Sequence, residues 1–239
     1  MVHDYDLDAT LDSGQSFRWR KTGGKWAGVI GARWVLLESN ESSITAAVAE
    51  PVCDWTWLTD YLQLDVNLAG IIGTFPDDEP MRAAARACRG LRLLRQQPWE
   101  CLASFILSST KQIVQIQQII AVLTERFGEP LPVLHGHPSA FAFPTAERLA
   151  RCTEADLRAC KMGFRAPNLL KTACLVAEGK VDLKLSGEKM VPVDAALPVP
   201  AEKMDQRMEF NGTIPTPSGE LKIAFFDRTV KERTSTPLK

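Results

Sequence analysis

Apolar and polar positions alternate at the start of the chain. Leu7, Ala9 and Leu11 interleave with Asp6, Asp8 and Thr10, the period of a half-buried strand. Phe17 to Lys21 and Trp26 to Ile30 flank Thr22-Gly23-Gly24-Lys25, a pattern that predicts a hairpin. Arg33 to Glu38 follows the Gly31-Ala32 turn, and Ser39 to Ser42 turns the chain again toward Ile44 to Ala49. The prediction is an antiparallel meander in which Trp19, Trp26 and Trp34 are core aromatics.

Helical spacing then takes over. Trp57, Leu58, Tyr61 and Leu62 recur at helical intervals within Asp54 to Leu64, and Pro80 suits the first turn of a helix ending near Cys88. From Pro98 onward the pattern predicts helix alone. Trp99, Leu102, Phe105 and Ile106 are expected on one face. Ser109-Thr-Lys-Gln112 fits a capping box ahead of a buried stripe of Ile113, Ile116, Ile120, Leu123 and Phe127, which Gly128 ends. Thr145 and Thr153 are set to cap two further helices, the second with Asp156 and stopping at Gly163. Pro167 begins the last, with Gly179 as its C-terminal cap.

Periodicity fails after about Val181. Prolines crowd Lys184 to Pro200, Ile214 to Gly219 reads as turn chemistry, and Leu221 to Phe226 alone looks like a strand. The fold class expected is α+β, in three parts. Residues 1–97 form a twisted antiparallel sheet with flanking helices, 98–183 a truncated all-helical domain, and 184–239 an irregular, partly disordered tail.

Charge adds one local feature. The net charge of −1, from 28 basic and 29 acidic residues, does not announce a nucleic-acid partner. Yet Arg82, Arg86, Arg89, Arg92, Arg95 and Lys111 face a single acid, Glu100, between residues 82 and 111. Such a stripe suits phosphates, or else is a solvated helix face. The six cysteines lack a C-x-x-C pair and are expected as buried, reduced thiols. His135 and His137 have no partner at metal spacing, so neither metal nor cofactor is expected. The acidic, polar opening is no signal peptide and no apolar run is long enough to span a membrane, so an intracellular, soluble monomer is expected.

Three segments carry a resemblance. They are the run from Leu11 to Trp19 (Leu-Asp-Ser-Gly-Gln-Ser-Phe-Arg-Trp), the run from Leu94 to Ser109, and Gly163-Phe-Arg-Ala166. Together they resemble the 8-oxoguanine DNA glycosylases, base-excision repair enzymes of the helix-hairpin-helix superfamily, over residues 6–183. The resemblance implies a partner, double-stranded DNA containing oxidised guanine opposite cytosine. It assigns base recognition to the main-chain carbonyl of Gly14, with Gln15, Ser16 and Phe17 flanking the pocket. Phe17 is as well explained by the core, where strand phenylalanines usually point. An isolated Ser13-Gly14 would read as a turn between strands.

The unpaired cytosine needs donors in a planar fork. The resemblance implies Arg165 for this role, with Phe164 wedged against neighbouring bases. It also implies an asparagine after the Ser-Ser pair, where this chain has Thr110, a shorter side chain that cannot reproduce the amide pattern. Lys111 follows, placed for a phosphate contact.

For catalysis the resemblance implies a lysine amine on a Gly-rich hairpin, forming a Schiff base, and a later aspartate in a Pro-Val-Asp run. No Gly-x-Gly-x-Lys occurs after Gly163. Val191-Pro-Val-Asp194 echoes the aspartate run, which makes Asp194 the catalytic candidate, while no nucleophilic lysine is identified. The expectation is a glycosylase and abasic-site lyase by family whose excision activity is lost. The alternatives are a non-catalytic damaged-DNA-binding module or a non-functional truncated product.

Overall fold

The computed structural model describes residues 4–40, 43–108 and 111–183, together with the backbone of 210–216 and 219–225. The chain divides into two units, Met1–Lys184 and Leu185–Lys239.

The first unit opens with a helix where alternation predicted a strand. Helix α1 spans Leu7–Asp12, capped by Asp6, whose carboxylate accepts from the Ala9 N–H at 2.8 Å. An aspartate at this position contributes about 1 kcal/mol of helix stability. Leu7, Thr10 and Leu11 are the buried residues, at the i, i+3, i+4 spacing of one helical face. Six residues fit both periods, and the cap decides between them.

The expected meander follows, its first strand beginning at Arg20 rather than at Phe17. Strands β1 (Arg20–Thr22), β2 (Lys25–Ile30), β3 (Arg33–Ser39) and β4 (Ile44–Val48) pair antiparallel in sequence order. Thr22 opposes Lys25 across Gly23-Gly24, whose φ values of 59° and 81° are those of a two-residue hairpin turn. Trp19, Trp26 and Trp34 are buried. Helices α2 (Thr56–Leu62), α3 (Leu68–Ile72) and α4 (Glu79–Ala87) complete this half. Its core joins Leu7 and Leu11 to Trp19, Leu37, Leu62 and Leu94.

Helices α5 (Pro98–Ser108), α6 (Ile113–Phe127), α7 (Ala146–Ala150), α8 (Glu154–Leu157) and α9 (Ala166–Ala177) build a second core around Leu107, Ile120, Leu123, Leu157 and Leu169. Of the α5 residues that the spacing put on one face, Trp99 and Ile106 pack against this core. Ala103, Ser104 and Leu107 are buried, whereas Phe105 is 74% exposed. Ile113 is likewise half exposed at the start of α6, and the buried stripe begins at Ile116. The cap of α6 is Gln112, whose N–H donates to Gln115 Oε1 at 3.3 Å. The expected cap Ser109 lies outside the described residues.

A two-residue ladder, β5 (Pro130–Leu131) with β6 (Ala140–Phe141), interrupts the helices. Gly128 makes it possible: a Cβ there would lie 2.6 Å from the Thr124 carbonyl oxygen. Thr145 and Thr153 cap α7 and α8 as their positions predicted. Beyond α8 the chain does not run on as α-helix to Gly163. It widens into a π-turn over Arg158–Met162, where Lys161 takes a left-handed φ of 64°.

In the second unit, β7 (Phe210–Thr216) pairs antiparallel with β8 (Gly219–Phe225). Within the Ile214 to Gly219 stretch that reads as turn chemistry, Ile214 to Thr216 and Gly219 are therefore strand, Thr216 pairing with Gly219. Among the described residues no helix is long and apolar enough to cross a membrane.

Candidate functional site

The segment from Ser13 to Trp19 connects α1 to β1 and supplies most of the residues of interest. Gly14 has a left-handed φ of 82°, a conformation that favours glycine. A Cβ built there would sit 3.4 Å from Ile113 Cδ1, so Gly14 rests against the first residue of α6. Among the described residues the Gly14 carbonyl accepts no hydrogen bond.

Gln15 is bonded into the protein. Its Nε2 donates to the Arg92 carbonyl at 2.8 Å and to Ser13 Oγ at 2.9 Å, while its Oε1 accepts from the Leu94 N–H at 2.8 Å. Ser16 lines a cleft of about 410 Å³ with Tyr61, Arg33, Arg95, Gln96 and Glu100. Phe17 packs against the helical core from this connecting segment, ahead of the first strand.

Beyond Phe17 lies a buried polar network. Trp19 Nε1 donates to the Tyr61 hydroxyl at 2.9 Å. Burial pushes the Tyr61 phenol up, with the bonds from Trp19 and Ser16 pulling the other way. Arg18 bonds the Phe141 carbonyl and lies 3.5 Å from Glu100, with both side chains largely buried. Burial raises the Glu100 carboxyl against the pull of Arg18, and lowers Arg18 against the pull of Glu100. Desolvation thus outweighs attraction at both partners, so the pair fixes geometry more than it adds stability. It joins the segment before β1 to α5 and β6.

The turn after the π-turn carries Phe164 and Arg165. Gly163 (φ 60°, ψ −129°) turns the chain into a short 3₁₀ segment, Gly163–Arg165. Phe164 is 63% exposed, whereas Arg165 is only 2% exposed, with Cζ 4.3 Å from the Phe164 ring centroid. Lys111 is half-buried one residue before the α6 cap, its N–H donating to the Ser108 carbonyl at 3.1 Å. Thr110 and Asp194 lie outside the described residues.

The basic stripe is mostly engaged within the protein. Arg82 pairs with Asp77 and Glu79, Arg86 with Glu79 at 2.8 Å, and Arg89 with Asp4 at 3.0 Å. Arg92 is buried, donating to the Asp4 carbonyl at 3.0 Å with its guanidinium over Tyr5. Among the described residues Arg95 and Lys111 have no acidic partner. The partner acids Asp4, Asp77 and Glu79 all precede the stripe in sequence, which is why counting within it misled. The cysteines also differ from expectation: all six are free thiols, yet Cys53, Cys88 and Cys101 are exposed.

Two participants had no sequence signal. Tyr61 reads as helix core, and its hydroxyl's role depends on Trp19 some forty positions away. Gln96 sits in a polar stretch without period, yet its Nε2 donates to the Gln15 carbonyl at 2.7 Å.

The family model for the 8-oxoguanine DNA glycosylase N-terminal domain matches residues 2–102. The chain is 32% identical over 173 residues to N-glycosylase/DNA lyase OGG1 of Arabidopsis thaliana, covering 70% of this chain and 47% of that protein. It is 32% identical over 204 residues to N-glycosylase/DNA lyase of Saccharomyces cerevisiae, covering 76% and 52%. The chain thus spans about half the length of the curated relatives it matches. The structure is similar to the 8-oxoguanine glycosylase/lyase of Clostridium acetobutylicum, solved with double-stranded DNA containing cytosine opposite 8-oxoguanine. There the TM-score is 0.69 at 27% identity, covering 75% of this chain and 61% of that one. With that N-terminal domain over residues 2–102 and similarity to glycosylase/lyases over about three quarters of its length, this chain belongs to the 8-oxoguanine DNA glycosylase/lyase family.

Proposed function

We propose that this chain recognises 8-oxoguanine opposite cytosine in duplex DNA and has lost the excision step of its family. The observation that carries the reading is Gly14. Its backbone is left-handed, it is seated at the start of α6, and its carbonyl accepts no hydrogen bond among the described residues. The oxidised base presents a donor N–H where guanine has an acceptor nitrogen. A carbonyl facing that position pairs with the lesion and repels the normal base. Leaving such a buried group unpaired costs about 1–3 kcal/mol, enough for discrimination.

Phe164 supports the reading as an exposed aromatic suited to entering a base stack, with Arg165 behind it as the donor to cytosine. With the guanidinium buried in the free protein, engagement of cytosine requires its side chain to swing outward. For excision, the support is in the lysines. The sequence after Gly163 has no Gly-x-Gly-x-Lys. The described candidate Lys180 is exposed and ion-paired with Glu178 at 2.6 Å, which holds its ammonium above the ordinary lysine range. A nucleophilic amine needs the opposite shift.

The test uses purified chain with duplexes carrying 8-oxoguanine·cytosine, 8-oxoguanine·adenine or guanine·cytosine. Fluorescence anisotropy should rank the first tightest. Borohydride should trap no covalent adduct, and no strand should be cut. Equal affinity for all three duplexes would overturn the recognition reading. A strong adduct that vanishes in Lys180→Gln, Lys184→Gln, Lys189→Gln or Lys203→Gln would overturn the loss of excision.

A further inference from the structure

The stretch from Arg92 to Gln96 belongs to no sheet, yet alternate residues of it are bonded to the Gly14 loop. The Arg92 N–H donates to Thr10 Oγ1 at 3.1 Å, and the Arg92 carbonyl accepts from Gln15 Nε2 at 2.8 Å. The Leu94 N–H donates to Gln15 Oε1 at 2.8 Å, and Gln96 Nε2 donates to the Gln15 carbonyl at 2.7 Å. Between them, Leu93 and Arg95 face outward. This is the period of a strand, with the Gln15 carboxamide in place of a partner strand's peptide group. The amide orientation is fixed by the network: reversed, its oxygen would face the Arg92 carbonyl and its NH₂ the Leu94 N–H.

The consequence falls on Gly14. Its carbonyl shares a rigid peptide plane with the Gln15 nitrogen, so only the torsions on either side of that plane can redirect it. On one side Gly14 is seated against Ile113; on the other, the carbonyl and both side-chain polar atoms of Gln15 are held. We propose that Gln15 and Gln96 are positioning residues for lesion discrimination. They aim the Gly14 carbonyl and need not touch the base. This rests on the recognition reading above. It is a sharper role than lining a pocket, because a hydrogen bond weakens steeply with misalignment.

Two variants test it. Gln96→Met keeps side-chain bulk and removes only the donor to the Gln15 carbonyl. Gln15→Glu keeps the acceptor for Leu94 and removes the donor to Arg92. Affinities for 8-oxoguanine·cytosine and guanine·cytosine duplexes are measured by anisotropy, with thermal melts confirming that each variant folds. The lesion preference should fall by about fivefold or more in Gln96→Met, given the usual value of one well-aligned hydrogen bond. Affinity for the undamaged duplex should hold. Should Gln15→Glu not fold, Gln96→Met decides alone. Parallel loss on both duplexes, or a preference kept in the folded variants, would overturn the positioning role. Equal affinity of the unmodified chain for both duplexes would overturn the recognition reading and this role with it.

Discussion

The Trp19 indole lies against Gly28 with no room for a methyl group between them: a Cβ built on Gly28 would fall 2.6 Å from Trp19 Cδ2. The same indole donates to Tyr61 at 2.9 Å, so it cannot shift without losing that bond. Gly28→Ala should therefore destabilise the protein by about 2 kcal/mol, in the range of overpacked cores. Thermal or urea denaturation measures this. An unchanged midpoint would mean that the indole moves without cost.

Gly14→Ala separates strain from crowding. The added methyl would meet Ile113 Cδ1 at 3.4 Å, an ordinary contact, while φ would stay near 82°. The expected loss of stability is about 1 kcal/mol, from the left-handed backbone. Lesion preference in the anisotropy assay should drop further than that stability change explains. Retention of full preference would remove Gly14 from the recognition site.

Phe164 and Arg165 should respond differently although they are neighbours. Phe164 is exposed, so Phe164→Ala should change stability by no more than about 0.5 kcal/mol while weakening binding to every duplex. Arg165 is buried, and Arg165→Ala should lower the melting temperature as well. Its binding loss should fall mainly on duplexes with cytosine opposite the lesion. Equal losses across all opposite bases would reduce Arg165 to a structural side chain.

Asp8 gives a pH prediction with a definite sign. The bonds from Lys21 at 2.6 Å and Trp26 Nε1 at 2.6 Å hold its carboxyl below the ordinary range. A depressed folded value contributes stability that is present above the unfolded value of about 3.9, and that is lost as pH falls through the folded one. Asp8→Asn should therefore narrow its stability gap to the parent chain below pH ~4. A gap that stays constant from neutral pH down would contradict the linkage.

Much of the fold was legible because it rests on local signals. The Gly23-Gly24 hairpin, the Thr145 and Thr153 caps and the buried tryptophans each depend on a few adjacent residues. The misreadings have separate physical sources. The α1 segment satisfied two periods at once, and only the Asp6 cap broke the tie. The exposure of Phe105 on α5 and the pairing of Arg89 with Asp4 depend on partners distant in sequence, while Arg82 and Arg86 pair with acids just before the stripe. The site divides the same way. Gly14 stands in a recognisable run, whereas Gln96, which holds the neighbouring carbonyl from 81 positions away, carries no mark of that role.

The pairing of Arg82, Arg86 and Arg89 with acids, and the burial of Arg92, reach beyond the fold. Each phosphate neutralised by a cation releases condensed counterions, and the logarithm of the binding constant falls with the logarithm of salt at about 0.9 per contact. A stripe of six cations would give a steep dependence and a long residence on undamaged DNA, allowing one-dimensional scanning. With only Arg95 and Lys111 of that stripe uncommitted, the slope from this surface should be shallow, about −2. Under the proposed reading, this surface would favour repeated short encounters from solution over gliding along the duplex.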